Sequence, residues 1–219
     1  MPFRIVPQSV SLVFVTTEPA QMIERAARTC YASEPVGDRA RFLAALLLRG
    51  HLSVFEHASA TFDITCDRGV SHELVRHRVA SYSQQSTRFC DLASERFSNK
   101  IAVVEPPGLS PAERSLWLLA MKEATNAYAM LRKDGVKPEI ARSVLPTCLA
   151  TRIVTTMNLR EWLWMLRLRT AKAAHPQMRE VAFAILGLLR EQVPEVFGPP
   201  VCFVPGSSET WTPPASQDE

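Results

Sequence analysis

Residues 58–66 alternate without a break: Ala60, Phe62, Ile64 and Cys66 fall on one side, and Ser59, Thr61, Asp63 and Thr65 on the other. A period of two sends successive side chains to opposite faces, so the stretch predicts a strand with one buried face. Such a strand needs neighbours and a cover. Residues 3–15, rich in Val, Ile and Phe, and residues 148–156 are the other strand candidates.

The cover is helical. Pro19 opens a helix through about Thr29, and residues 37–49 predict another, ended by Gly50. A short helix starts near Ser71, after Gly69. Ser110-Pro111-Ala112-Glu113 is a capping box with proline at the first helical position, and its helix ends at Gly135. Pro138 starts a shorter helix that must stop before Pro146. Asn158-Leu159-Arg160-Glu161 is a helix start with an acidic third position, and this helix runs to about Arg169. A last helix follows Pro176 and fades before Pro194. The mixture predicts an α+β fold: a small, mostly antiparallel sheet packed with several helices.

A chain of 219 residues buries a sizeable core without disulfides or metal. One domain is expected over residues 1–204, and the Pro, Ser and Thr content of 205–219 predicts a disordered tail. The net charge of +3 gives no global field that recruits nucleic acid or membrane, so any anion site must be local. Five cysteines lie far apart with no C-x-x-C, which argues for a reducing compartment. No apolar run reaches membrane-spanning length, and the N-terminal residues lack the layout of a secretory signal. A cytoplasmic protein is expected.

That local site is visible in RHRVASYSQQSTRF, residues 76–89. Guanidinium forks pair with phosphate oxygens through parallel hydrogen bonds, and Arg76 and Arg78 can hold a diphosphate. The hydroxyls and amides that follow suit the edge of a planar heterocycle, and Arg88 suits a second phosphate. A solvated loop would be the plainer account of a bare R-H-R. It does not account for the full spacing R-H-R-x-x-S-x-x-x-x-S-x-R.

This spacing resembles the signature of the flavin-dependent thymidylate synthases, with Arg76, His77, Arg78, Ser81, Ser86 and Arg88 in place. Ser83 and Gln84 stand where the commonest form has Asn and Glu, so position 84 carries no carboxylate. RGHLSVFEH, residues 49–57, is similar to the family's G-H-x-S/T-x-x-E-H segment, and TTMNLREWLWMLRLR, residues 155–169, to its later N-x-R segment. EIARSVLP, residues 139–146, matches a segment whose Arg contacts nucleotide. Gln177 and Trp164 depart from the pattern.

The resemblance implies a fold like the family's and roles residue by residue. His51, Ser53, Arg76, His77, Arg78, Gln84, Asn158, Leu159 and Arg160 would bind FAD. Glu73, Arg76, Gln84, Gln85, Ser86, Thr87, Arg88, Arg142 and Arg169 would bind dUMP, with Arg169 also catalytic. No metal is implied. The reaction implied is reductive methylation of dUMP to dTMP, with methylenetetrahydrofolate as carbon donor and FAD reduced by NADPH. A homotetramer with shared active sites is implied as well, with no nucleic-acid or membrane partner.

Each residue also has a plainer reading. Asn158 serves as a helix cap, Arg142 as a surface cation, and Leu166 and Leu168 as core. Arg169 lies about 16 Å along its helix from Asn158 on nearly the same face, and so reaches another part of one extended site. His51 and His57 are six apart across an expected loop, unlike the four-residue spacing of zinc helices. Cys30 and Cys90 have no activating base in the sequence pattern. Ser86 lacks a His-Asp partner and reads as a nucleotide-binding hydroxyl. Two alternatives stay open: a metal-dependent nucleotide phosphohydrolase on His51, Glu56, His57 and His77, and a non-catalytic nucleotide- or RNA-binding module.

Overall fold

A computed structural model describes residues 3–97 and 100–198, so the tail expected over 205–219 lies outside the described residues. The strands are β1 (Phe3–Ile5), β2 (Ser9–Val15), β3 (Ser59–Asp67), β4 (Ala80–Gln84), β5 (Ile101–Val103) and β6 (Ala150–Asn158). The helices are α1 (Pro19–Thr29), α2 (Arg39–Leu48), α3 (Arg68–Leu74), α4 (Pro111–Lys133), α5 (Pro138–Ala141), α6 (Leu159–Arg169), α7 (Pro176–Gln192) and α8 (Pro194–Phe197).

The fold is α+β with a mostly antiparallel sheet, as expected. Four strands lie in the order β2-β3-β6-β4. The Thr16 N–H donates to Ser59 O at 2.9 Å, and the Ser11 hydroxyl to Asp63 O at 3.4 Å, so β2 and β3 run antiparallel. The hydroxyls of Thr61 and Thr156 meet at 2.9 Å, and the Leu159 N–H donates to Ala58 O at 2.8 Å, which gives β3 and β6 the same relation. Ala60, Phe62, Ile64 and Cys66 are all fully buried, so the alternation reported the face correctly.

The apolar run 3–15 makes two strands, not one. Pro7 sits at the break, and its missing N–H cannot continue a ladder. β1 pairs in parallel with β5, Phe3 opposite Ile101. The chain divides into two compact units, Met1–Ser9, Ile64–Leu74 and Ser83–Ile153 in the first, Val10–Asp63, Val75–Tyr82 and Val154 onward in the second.

In the first unit, Leu92, Ile101, Val103, Met121, Tyr128 and Leu149 form one apolar cluster against α4. The predicted capping box is present: Ser110 Oγ accepts from the Glu113 N–H, and the Glu113 carboxylate accepts from the Ser110 N–H at 2.7 Å. The second unit packs Ile23, Leu43, Phe55, Phe62, Trp162, Met165, Leu166 and Ile185 with little or no exposure. The Trp162 Nε1–H donates to Ala60 O at 3.1 Å, and its ring meets Phe62 edge-on at 5.0 Å. Buried Glu24 accepts from Arg28 and Arg39 at 2.8 Å each.

Several boundaries differ from expectation for local reasons. α2 begins at Arg39 because Asp38 caps it, its carboxylate accepting from the Ala40 N–H at 2.9 Å. α3 begins at Arg68, before Ser71, because Asp67 Oδ1 accepts from the Val70 N–H at 2.6 Å. The expected loop at 51–57 is a 3-10 turn, Leu52–His57. Leu168 is 42% exposed and does not join the core, while Leu166 does. β4, β5 and α8 were not expected.

Candidate functional site

The 76–88 stretch is divided between the units, with 76–82 in the second and 83–88 in the first. In the second unit Arg76 and Arg78 are exposed and flank a buried His77 in the turn that follows α3. His77 points to α6. The Arg169 Nε–H donates to His77 Nε2 at 3.2 Å, and His77 Nδ1 lies 3.3 Å from Glu161 Oε1. The Tyr82 hydroxyl donates to the His77 carbonyl at 2.7 Å.

Burial, with Arg169 alongside, pushes the His77 imidazole down to about 4. The His77–Glu161 distance is that of an ion pair, yet a ring nitrogen that accepts from a guanidinium carries no proton. We therefore assign a neutral ring with its hydrogen on Nδ1. Burial raises the Glu161 carboxyl, and the nearby Arg160 charge works against that rise. Burial likewise raises Tyr82 to about 12, so it stays a donor.

The same unit holds a cavity of about 680 Å³. His51, Ser53 and Arg160 line it with Arg28 and Arg49, against an apolar wall that includes Phe42 and Leu46. Its first turn is set by Gly50, whose φ of +72° only glycine adopts readily, at the end of α2. The Arg160 guanidinium pairs with Glu56. Asn158 caps α6, its Oδ1 accepting from the Glu161 N–H at 2.9 Å, and the Leu159 side chain lies wholly in the core. Cations, an imidazole and a hydroxyl beside apolar wall fit a ligand with both anionic groups and flat rings, and the volume lies in the range of cofactor sites. The donor set is therefore compatible with a flavin nucleotide.

In the first unit, β4 ends in the amide and hydroxyl run. Gln84 Nε2 donates to Ser71 Oγ at 2.8 Å and to Thr151 Oγ1 at 3.2 Å. The Gln85 N–H, one step past the end of β4, donates to Arg152 O on β6 at 2.9 Å. Ser86 Oγ accepts from the Arg88 N–H at 3.1 Å, which turns the chain. Arg142 donates to Thr87 Oγ1 at 3.2 Å, and exposed Arg88 pairs with Glu139 at 2.9 Å. Burial, with Arg142 nearby, lowers Arg68. Glu73 lies in the last turn of α3 and is half-buried. The unit thus holds Gln84 with Ser71 and Thr151, and Thr87 with Arg142, as polar and cationic groups.

Sequence reading missed Arg28 and Arg49 in the cavity and Glu161 beside His77. Arg49 stood at the edge of a recognised segment, but Arg28 and Glu161 carried no local signal beyond helix position. Among the described residues, no three His, Cys, Asp or Glu side chains are gathered to hold a metal. Among the same residues, no helix is long and apolar enough to cross a membrane.

Residues 11–195 match the profile of a family described as thymidylate synthase complementing protein. A flavin-dependent thymidylate synthase of Geobacter sulfurreducens is 38% identical over 200 residues, covering 86% of this chain and 84% of that one. One of Thermococcus onnurineus is 37% identical, covering 81% and 77%. Among solved structures, the UMP/dUMP methylase PolB of Streptomyces cacaoi, bound with 5-Br dUMP, superposes with a TM-score of 0.77 over 90% of this chain and 95% of that one. Its sequence identity is 24%, so this likeness concerns the fold.

Proposed function

The chain belongs to the flavin-dependent thymidylate synthases, and we propose that it carries out reductive methylation of dUMP to dTMP. The observation that carries the reading is the cavity in which His51, Ser53 and Arg160, three family positions, stand together. We take FAD as the flavin, NADPH as its reductant, methylenetetrahydrofolate as the carbon donor, residues 1–204 as the catalytic domain and the cytoplasm as its place.

A bound flavin supplies the electrons that reduce the transferred carbon to a methyl group. The chain's own residues bind and polarise. Arg76 and Arg78 offer exposed forks to phosphate, with His51, Ser53 and Arg160 along the cavity. Arg142, Ser86 and Arg88 meet the nucleotide phosphate, and Gln84, Gln85 and Thr87 its ring and sugar. Uracil C5 is a weak nucleophile, and negative charge develops on the ring as it reacts. Arg169 stabilises that charge as a cationic hydrogen-bond donor, without acting as a base.

No thiolate is needed. Burial pushes Cys66 up to about 12 and Cys148 up to about 11, which makes both poor thiolates at neutral pH. The test is the colour and chemistry of the purified protein. The expected result is a yellow protein that absorbs at about 450 nm as flavins do and forms dTMP from dUMP, methylenetetrahydrofolate and NADPH. Cys30→Ser and Cys90→Ser keep turnover within about threefold. A colourless, inactive protein rejects the reading. A dead Cys90 variant that still binds flavin and dUMP rejects the thiol-free mechanism.

A homotetramer with shared sites belongs to the same reading. Leu116 and Leu119, one turn apart on α4, are 69% and 55% exposed, which supports an apolar contact between chains. Arg76→Ala and Arg169→Ala proteins, each strongly impaired, regain activity when refolded together, and light scattering gives the mass of four chains. A monomeric mass sinks the idea.

A further inference from the structure

In α4 the carboxylate at the third helical position, Glu113, bonds back to its own cap. In α6 the equivalent Glu161 lies instead beside His77, while Asn158 alone caps the helix. An exposed N-terminal carboxylate stabilises a helix without help, so there is no helical reason for Glu161 to be drawn inward. Its side chain is 14% exposed and that of His77 is 4% exposed, so the pair lies largely out of bulk solvent.

We propose that Glu161 is a positioning residue: it holds His77 in the Nδ1–H tautomer, and the Nε2 lone pair so left aims the Arg169 guanidinium at the substrate. The proposal rests on the reading that Arg169 acts on dUMP. The chemistry admits one arrangement. With the hydrogen on Nε2, two N–H groups would face each other across 3.2 Å, and the Nδ1 lone pair would face a carboxylate. With both nitrogens protonated, the ring would repel Arg169. Only the Nδ1–H form satisfies both neighbours. Tyr82 bonds the His77 carbonyl and leaves the ring free to be set by α6.

The three groups form a line from a helix start, through a neutral ring, to the last turn of the same helix. A guanidinium on a long stem has many rotamers, and a fixed acceptor at its Nε selects one.

The test compares wild type, Glu161→Ala and Glu161→Gln, all as full-length holoenzyme. Imidazole nitrogen spectra of 15N-histidine-labelled protein report the tautomer, with His77→Gln assigning the signals. Wild type shows the Nδ1–H form. Glu161→Gln keeps it, because the amide oxygen also accepts, and keeps kcat within about threefold. Glu161→Ala mixes the tautomers and lowers kcat about tenfold, with the KM for dUMP little changed, as expected for loss of one charge-assisted hydrogen bond acting at a distance. A Glu161→Ala protein with the Nδ1–H tautomer and wild-type kcat overturns the proposal. A Glu161→Gln protein with the Nε2–H tautomer and full kcat also overturns it, whether or not the alanine variant folds. Should wild type make no dTMP, the functional reading fails, and the spectra still decide whether Glu161 sets the tautomer.

Discussion

Arg169→Ala lowers the turnover number for dTMP formation by about a hundredfold to a thousandfold, the range seen when one preorganised donor to a developing anion is removed. The guanidinium is held by His77 before any substrate arrives, so its field requires no reorganisation during the reaction. Arg169→Lys keeps the positive charge but loses the Nε–H that meets His77 Nε2. It recovers only part of the rate, since an ammonium cannot reproduce a planar fork. Single-turnover measurements with saturating dUMP isolate the effect on the chemical step. A loss under about threefold in the alanine variant removes Arg169 from the catalytic role.

Acidification from pH 7.5 to 5 destabilises the protein by about 2 kcal/mol through His77 alone, rising toward 3 kcal/mol near pH 4. The sign follows from the buried neutral ring. Its folded value of about 4 is below the unfolded 6.5, so the unfolded chain binds the proton first as pH falls. The stability is intact above about 6.5 and is lost on the way down to about 4. Glu161, raised by burial, works in the opposite direction and softens the lower end of the window. Burial would raise Glu24, but hydrogen bonds from Arg39 and Arg28 hold it low, and Arg132 holds Asp91 low. Their contributions fall away below the unfolded carboxylate range, beneath most of this window. Urea unfolding of wild type and His77→Gln at pH 7.5, 6 and 5 provides the check. Equal slopes for the two proteins would exclude His77 as the titrating group.

How much could be read without coordinates depended on whether a signal was local. β3 was legible because a half-buried strand writes its period into consecutive residues, and Ala60, Phe62, Ile64 and Cys66 all went inside. The starts of α1, α4, α6 and α7 were legible because proline and capping residues act within one turn. β4 was not, since its apolar content is low and its polar side chains look like loop until β6 pairs with it. β5 has only three residues and takes its register from β1. The site divides in the same way. Asn158 as a cap followed from the local sequence, while a common site for His51 and Ser53 came only from the family resemblance of residues 49–57. The meeting of His77 with Glu161 and Arg169 did not follow from sequence, because it joins residues far apart in the chain.

That meeting makes α6 a ruler. Glu161 and Arg169 stand eight positions apart, about 12 Å along the axis, and one imidazole touches both. Each residue inserted or deleted between them would turn Arg169 by about 100° around the helix and shift it by about 1.5 Å. The interval therefore tolerates exchange of side chains but not change of length. Natural or laboratory variants of this chain should vary in length elsewhere and keep the count from 161 to 169 fixed.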